Sequence, residues 1–227
     1  MMSDKCLICF DDLASGVSLK TYLGKADVIC GHCRRRFKIC NNELVIDQLK
    51  IQCCYYYDDF VENLLFQFKE GRDVALKSIF MHQQLTYIKK KYRGYTLVYV
   101  PSAIDKFKER GFWPLELIYE QVNLPKKQLF IKNAPYKQSH QEYFRRNQIK
   151  KVIELIPQVT IPKKVLLVDD MCTSGNSLKA CFDLISDKCE CQALCVCVNE
   201  RLFEEKITLG QHLVKILKRC LKHLSCD

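Results

Sequence analysis

The sequence predicts an α/β protein in which a mostly parallel sheet is flanked by helices. Apolar, β-branched or aromatic runs of strand length alternate along the chain with segments of helical periodicity. One of these runs, residues 165–168, is almost continuously apolar, as expected for a strand that is buried on both faces of a sheet. It ends in two adjacent acids, Asp169 and Asp170, and ligands of parallel sheets bind at the carboxyl ends of strands.

The predicted elements follow one another in an alternating order after a cysteine-rich first segment. Residues 51–57 predict a strand, and Asp58 or Asp59 can cap the following helix, which Gly71 ends. Asp73 can cap a second helix, and Pro114 lies in the first turn of a third, where proline is tolerated. The other predicted elements are strands at 95–101, 128–133, 165–168 and 191–198, a polar basic loop at 134–147, and a helix at 174–186.

Length and composition indicate a globular protein. The chain has 227 residues, of which 48% are hydrophobic, so it can hold one sizeable α/β domain and a small appendage. No run of eighteen apolar residues occurs, and the first residues lack a basic stretch followed by an apolar one. We therefore expect no secretory signal, no membrane span and a cytoplasmic location.

The positive charge of the chain is unevenly distributed. The formal net charge is +10, and residues 125–164 contain ten Lys and Arg against two Glu. A second basic cluster is RRRFK at residues 34–38. Two interpretations stay open: a solvated basic face, or a surface that binds the phosphates of a nucleotide or of nucleic acid.

The cysteines predict a structural zinc site. In a reducing compartment, fifteen cysteines indicate metal ligands and scattered buried thiols rather than disulfides. Two C-x₂-C motifs separated by twenty residues can close four thiolates tetrahedrally around Zn²⁺, with the ligands Cys6, Cys9, Cys30 and Cys33. Free thiols are the alternative. His32 is interpreted as a bystander, and no role is assigned to Cys40, Cys53 and Cys54.

The loop behind the two acids has the composition of a phosphate site. A loop that leads from a strand into a helix presents free backbone N–H groups and the positive end of the helix dipole. Gly175 lets the backbone approach a ligand, and the hydroxyls of Thr173, Ser174 and Ser177 add donors. The two acids would repel that phosphate, but they suit sugar hydroxyls and hydrated Mg²⁺. The combination predicts a site for a ribose 5-phosphate.

Three other interpretations of this stretch explain less of it. A response-regulator acidic pocket has paired acids without the small hydroxylic loop directly behind them. A Walker A loop requires a Gly-Lys-Ser/Thr ending, which is absent. A plain strand–turn–helix with an Asp cap accounts for one acid only.

The stretch VLLVDDMCTSGNSL resembles the PRPP-binding fingerprint of type I phosphoribosyltransferases, with serine at two positions where that family usually has threonine. The resemblance implies a type I phosphoribosyltransferase-like parallel sheet flanked by helices. It also implies that Asp169 and Asp170 bind the ribose hydroxyls of PRPP, directly or through Mg²⁺. The 5-phosphate would be held by Thr173, Ser174, Gly175, Asn176 and Ser177.

A four-cysteine module joined to such a domain resembles the ComF family of bacterial competence proteins, of the ComFC type. The resemblance also rests on FKEG at 68–71 and on VPSAIDKFKERGF at 100–112. It implies a zinc-ribbon-like module at 1–52 and a phosphoribosyltransferase-like domain at 53–200. Residues 201–227 lie outside the resemblance, and their leucines at helical spacing among Lys and Arg predict a basic amphipathic tail. The chain departs from the family pattern at Ala103, which replaces a proline, and at Trp113 and Pro114, which replace Asn and Gln.

The same resemblance assigns two further loops around the substrate. Ser102 and Ala103 would belong to a pyrophosphate-binding loop. Lys137, Arg145 and Arg146 would lie in a flexible hood that closes over the substrate and brings cations to the leaving pyrophosphate. A solvated basic loop is the alternative for the hood residues.

Two functions are expected from this combination. The first is a competence protein that handles incoming single-stranded DNA beside a helicase-like ATPase, with bases stacked on Phe37 and on the tyrosines at 55–57 next to RRRFK. The second is an active, Mg²⁺-dependent phosphoribosyltransferase that transfers phosphoribose from PRPP to a base or amine. A scaffold that is regulated by the ligand site is a third. A homo-oligomeric state and association with the membrane DNA-uptake machinery through partners are left open.

Overall fold

The computed structural model of the protein describes residues 5–13, 27–132 and 153–202. The predicted hood residues Lys137, Arg145 and Arg146 lie outside the described residues, as does the predicted tail from residue 203 onward. None of the helices in the described ranges has the length and apolar character needed to cross a membrane.

The elements of the described chain follow the predicted alternation in part, because the first two strands are consecutive and the strand predicted at 128–133 lies outside the main sheet. The strands are β1 (Glu43–Ile46), β2 (Leu49–Tyr56), β3 (Thr96–Tyr99), β4 (Phe130–Lys132), β5 (Ile153–Leu155), β6 (Lys164–Cys172) and β7 (Glu190–Val198). The α-helices are α1 (Gly31–Arg36), α2 (Asp59–Lys69), α3 (Leu85–Lys91), α4 (Ile104–Arg110), α5 (Pro114–Ile118) and α6 (Asn176–Asp183). Short 3₁₀ helices occupy Val74–Ser78 and Glu120–Val122.

The main sheet has five strands in the order β1-β2-β7-β6-β3. Strands β2, β7, β6 and β3 run parallel to one another, and β1 pairs antiparallel with β2 at one edge. Strands β4 and β5 form a separate antiparallel pair. The predicted α/β fold with a mostly parallel sheet is confirmed.

Helices and loops cover the sheet on both faces, and the pattern of β6 shows why. Val165 and Leu167 belong to one buried cluster, whereas Leu166 and Val168 belong to the other, so successive side chains enter opposite cores. The first core receives the apolar faces of α2, α3 and α5, and the second receives α6 and the β4–β5 pair. This double burial explains the continuous apolar run in the sequence.

The predicted helix caps are present. The Asp58 side chain accepts a hydrogen bond from the Val61 N–H at 3.1 Å, which settles the choice between the two candidate caps of α2. The Asp73 carboxylate accepts a hydrogen bond from the Ala75 N–H at 3.2 Å, although the segment it caps is 3₁₀ rather than α. Pro114 is at the start of α5, as predicted.

The N-terminal segment packs on the same core as the main helices. Cys6, Ile29, Cys33 and Phe37 are buried in the cluster that contains the apolar face of α2. The boundary that the sequence predicts at residue 52 lies inside β2, a strand of the main sheet. The division of the chain into three segments stays a prediction.

Candidate functional site

The acid pair lies where the sheet presents the carboxyl ends of its parallel strands. β6 continues through Asp169 and Asp170 to Cys172, so it is longer than the apolar run in the sequence. The Val100 N–H donates to the Val168 carbonyl at 3.0 Å, which holds the end of β3 directly beside the two acids. The Asp170 N–H donates to Asp169 Oδ1 at 2.9 Å and orients that carboxylate. The arrangement can present carboxylate oxygens to sugar hydroxyls or to a cation.

In the loop behind the acids, one position has a backbone conformation that favours glycine. Gly175 has φ +70° and ψ 6° in the left-handed region, and its backbone forms the N-terminal cap of α6. Thr173 and Ser174 are exposed, and Ser174 Oγ accepts a hydrogen bond from the Asn176 N–H at 3.4 Å. The predicted phosphate residues therefore form one strand-to-helix turn, which leaves backbone N–H groups free for an anion.

The predicted pyrophosphate loop lies at the end of the neighbouring strand. Ser102 and Ala103 follow β3, and Ala103 is the residue that precedes α4. Because β3 and β6 are adjacent and parallel, this loop and the acid pair share one edge of the sheet. The structure thus brings together the predicted ribose, phosphate and pyrophosphate residues. The roles assigned to them stay predictions.

A lysine that the sequence analysis did not assign lies at this site. The ammonium group of Lys69, the last residue of α2, forms an ion pair with the Asp170 carboxylate. The two side chains are 19% and 21% exposed, so the pair is largely shielded from water. Lys69 is part of the FKEG motif on which the family resemblance rests, and that motif was the one sequence signal that could have pointed to this lysine. Its charge offsets part of the cost of placing two acids together.

The acid pair is electrostatically strained. Burial, and then repulsion from Asp170, raise the pKa of the Asp169 carboxyl to about 7. The Asp170 N–H and the charges of Lys69 and Lys132 act in the opposite direction. On the buried side, the Tyr119 hydroxyl lies 2.8 Å from the Asp169 carbonyl oxygen and 3.0 Å from that of Leu194, so its proton is shared between β6 and β7. Such strain is typical of binding sites.

We expect Asp169→Asn to stabilise the protein that is free of ligand, increasingly so as the pH rises. Asn keeps the oxygen that accepts the Asp170 N–H, but it removes the buried charge. The folded pKa of about 7 is above the ordinary value of 3.8, so the folded wild type holds the Asp169 proton more tightly than the unfolded chain does. The free energy of unfolding of the wild type therefore falls as the pH rises from about 4 to about 7. That of the variant does not, so its advantage should reach about 1–4 kcal/mol at high pH, where the upper figure is the full linkage of about three pKa units.

Thermal unfolding at about pH 5 and about pH 8, without PRPP or Mg²⁺, measures this advantage. The matched control is Asp187→Asn at an exposed position, which should unfold like the wild type at both pH values. A stability difference for Asp169→Asn that is the same at both pH values, or larger at the lower one, would contradict the prediction.

The four predicted metal ligands come together. The Sγ atoms of all four cysteines lie within 4.8 Å of one another, and those of Cys9 and Cys30 are 3.6 Å apart. Tetrahedral Zn–S bonds of about 2.3 Å require sulfurs roughly 3.8 Å apart, so the geometry fits a four-thiolate zinc site. Within the described residues this is the one group of three or more His, Cys, Asp or Glu side chains that could hold a metal ion. The members are Cys6, Cys9, Cys30 and Cys33.

Backbone donors support thiolates at this cluster. The Ile8 N–H donates to Cys6 Sγ at 3.5 Å, and the Cys33 N–H donates to Cys30 Sγ at 3.4 Å at the start of α1. Although burial alone raises the pKa of Cys6, hydrogen bonds from surrounding backbone N–H groups bring it down to about 7. Burial and the neighbouring thiols raise the pKa of Cys33, and that of Cys9 is raised to about 11, so Cys6 ionises more readily than either of them. A thiol that ionises near neutral pH is suited to bind a metal. His32 is exposed and lies outside the cluster, as expected.

Two of the predicted base-stacking residues cannot serve that role. Phe37 and Tyr55 are 4% and 0% exposed, and their rings pack against each other with centroids 4.7 Å apart. The prediction was wrong because Tyr55 lies on an interior strand, where both faces are covered. In the adjacent basic cluster, Arg34 is bound to Asp27, and the Arg36 guanidinium stacks on the Phe60 ring.

These features define a protein of the mixed α/β class, with a mostly parallel sheet, an acid pair at a strand end and a four-cysteine cluster near the N-terminus. The chain is similar to competence protein ComFC of Streptococcus pneumoniae, with 26% identity over 136 residues. That region covers 59% of this chain and 60% of the relative, so the match spans less than two thirds of either protein. No family model matches the chain.

The chain is also similar to solved phosphoribosyltransferase structures. An adenine phosphoribosyltransferase aligns with 66% of this chain and 81% of its own, at a TM-score of 0.39 and 14% identity. A hypoxanthine phosphoribosyltransferase from Staphylococcus aureus aligns with 52% of this chain and 60% of its own, at a TM-score of 0.34 and 14% identity.

Proposed function

We propose that the protein acts in natural transformation, where it handles incoming single-stranded DNA on a domain that also binds PRPP or a related ribose phosphate. The similarity to competence protein ComFC carries the competence role. The shared sheet edge of the acid pair, the Gly175 loop and the end of β3 supports the ribose-phosphate role. A helicase-like ATPase of the uptake machinery is the expected partner.

In the ribose-phosphate site, the acidic groups and the hydrogen-bond donors would bind different parts of the ligand. Asp169 and Asp170 would accept hydrogen bonds from the ribose hydroxyls and hold Mg²⁺, which neutralises phosphate charge when it is bound. The turn from Thr173 to Ser177 would donate backbone and hydroxyl hydrogens to the 5-phosphate. Ser102 and Ala103 would hold the pyrophosphate, with the hood residues Lys137, Arg145 and Arg146 closing over it.

Single-stranded DNA would be attracted by charge. The net charge of +10 and the basic stretch from residue 125 to 164 suit a polyanion. Binding of this kind releases counterions and weakens steeply with salt. It grows with strand length as more phosphates are contacted.

An active phosphoribosyltransferase is the second candidate function, and the position of the pyrophosphate loop beside the acid pair favours it. In that reaction the bond from ribose C1 to pyrophosphate breaks, a bond to the acceptor nitrogen forms, and the acceptor loses a proton. Positioning and electrostatic stabilisation of the leaving pyrophosphate would supply the rate enhancement. Pyrophosphate release from PRPP across a panel of bases, nucleosides and amines tests this candidate.

Calorimetric titration of the zinc-loaded protein with PRPP and Mg²⁺ tests the ribose-phosphate site. We expect saturable binding that Asp170→Asn abolishes, because the variant loses a charge that the sugar and the metal need. Asp187→Asn, at an exposed position outside the site, should bind like the wild type. Absence of binding in the wild type, or equal binding by both variants, would refute the site.

Single-stranded oligonucleotides of increasing length test the DNA role. Fluorescence anisotropy at about 50 mM salt should show affinity that rises with strand length and falls as salt is added. No binding of any strand at this low salt would refute DNA handling, whatever the outcome with PRPP.

A further inference from the structure

A cleft of about 470 Å³ opens beside the edge strand β3, a volume within the usual range for ligand sites. Its walls come from the end of β3, the start of α5, the segment before β4, and β4 itself. Apart from Ser102, none of the residues assigned to the ribose phosphate lines it. The side chains that matter for its chemistry are Tyr99, Trp113, Glu116, Lys126, Lys127 and Lys132.

One wall of the cleft is a flat aromatic surface. The ring of Trp113 stacks on that of Phe107, with centroids 4.7 Å apart and planes 22° from parallel. Phe107 supports the Trp113 ring from outside the cleft, whereas Ile104 lines the cleft and is 61% exposed. Apolar side chains in the wall of a cleft can contact the flat face of a ligand. The geometry suits stacking of a planar ring.

The cleft is also positively charged. Lys126, Lys127 and Lys132 line it, and none of them forms a salt bridge with an acidic group in the described part of the chain. Three such cations next to an aromatic wall fit a ligand that carries phosphate beside a flat ring.

The lining of the cleft includes polar side chains that could pair with the edge of a planar ring. The Tyr99 hydroxyl is buried, and it has no hydrogen-bond partner within the described residues. Burial, and then the charges of Glu116 and Glu120, raise the pKa of Tyr99 to about 12, so the hydroxyl keeps its proton and can donate. Glu116 lines the same cleft and can accept. A buried hydroxyl without a hydrogen-bond partner lowers the stability of the protein, and a ligand that pairs with it would remove this penalty.

We propose that this cleft binds an unpaired base of single-stranded DNA, stacked on Trp113 with its phosphates on the three lysines. The inference rests on the proposed DNA-handling function and assigns it a contact site. A base in a duplex has both faces covered by its neighbours, whereas an unpaired base can enter and stack. The lysines bind the backbone whatever the sequence, and the aromatic wall distinguishes a strand with bases from one without them.

Trp113 is the one tryptophan of the chain, so its fluorescence reports on the cleft directly. We would titrate the full-length, zinc-loaded protein with a thymidine oligonucleotide of about 20 nucleotides and with an abasic strand of equal length. Anisotropy of labelled strands would measure total binding in parallel. The thymidine strand should quench the tryptophan in step with its anisotropy, and the abasic strand should bind about tenfold more weakly without quenching.

Two leucine variants test whether base stacking depends on Trp113 in particular or on any exposed aromatic side chain. Trp113→Leu should weaken the thymidine strand about tenfold and leave the abasic strand unchanged. Phe66→Leu removes an aromatic side chain that is 63% exposed but does not line the cleft, and it should bind both strands like the wild type. The wild-type titration needs no variant, so it decides the question even if Trp113→Leu does not fold.

Four results would overturn the proposal. Strand binding without any change in tryptophan fluorescence, or equal affinity for the two strands, would place DNA elsewhere while DNA handling stands. Quenching by free thymidine monophosphate at an affinity equal to that of the strand would assign the cleft to a mononucleotide instead. Absence of strand binding at low salt would refute DNA handling as well, and the PRPP titration would be unaffected.

Discussion

Cys33→Ser is expected to abolish zinc binding and to destabilise the fold severely. Cys33 is 1% exposed and lies in the core cluster that contains the apolar face of α2, so the metal cluster and the main core share their packing. In small zinc domains the metal contributes apparent binding free energies of about 10–16 kcal/mol to folding. Loss of one of four thiolates would also leave three others crowded without a cation.

Metal analysis and thermal unfolding measure this effect. We expect one zinc ion per wild-type chain, none in Cys33→Ser, and a melting temperature at least about 10 °C lower in the variant. The matched control is Cys189→Ser, which changes a half-buried thiol outside the cluster that donates to the Ile185 carbonyl at 3.4 Å. That variant should retain its zinc. A Cys33→Ser protein with full zinc content and wild-type stability would show that the cluster is not a structural zinc site.

The sequence predicts the parts of the site whose residues lie close together along the chain or follow a fixed motif spacing. Asp169, Asp170 and the Gly175 loop are contiguous, so a strand followed by a helix must place them together at the carboxyl end of the sheet. The spacing of the two C-x₂-C motifs constrains the four cysteines in a similar way, because one metal geometry accounts for both pairs. Periodicity also predicts the buried central strands, since each face requires its own apolar residues.

The parts that the sequence does not predict depend on packing between distant segments. The approach of Lys69 to Asp170 requires α2 to lie on the face of the sheet that Val168 enters, and no local pattern specifies that face. The burial of Tyr55 has the same origin, because strand order decides which aromatic residues are interior. The edge strand β1 was missed because its four residues, ELVI, begin with an exposed glutamate and are too short to establish a period.

Gly175→Ala is expected to weaken PRPP binding at least tenfold and to lower the free energy of unfolding by about 1–2 kcal/mol. The backbone has φ +70°, and a Cβ atom at this position would lie 2.2 Å from Ile46 Cδ1 of β1. The turn must therefore shift, or Ile46 must move. A shift of the turn displaces the N–H groups proposed to hold the 5-phosphate. Calorimetric titration with PRPP and Mg²⁺, together with denaturant unfolding, measures both losses.

Gly94→Ala is the matched control for this substitution. Gly94 has a similar φ of +85°, but a Cβ atom there would meet nothing within 4 Å, so its replacement carries the backbone strain without the contact. It should lower stability by about 1 kcal/mol and leave PRPP binding unchanged. Adding Ile46→Ala to Gly175→Ala should relieve the contact but not the strain, and so restore part of the affinity. If Gly175→Ala binds PRPP as tightly as the wild type, the turn does not hold the phosphate, and the acid pair alone would have to account for any binding.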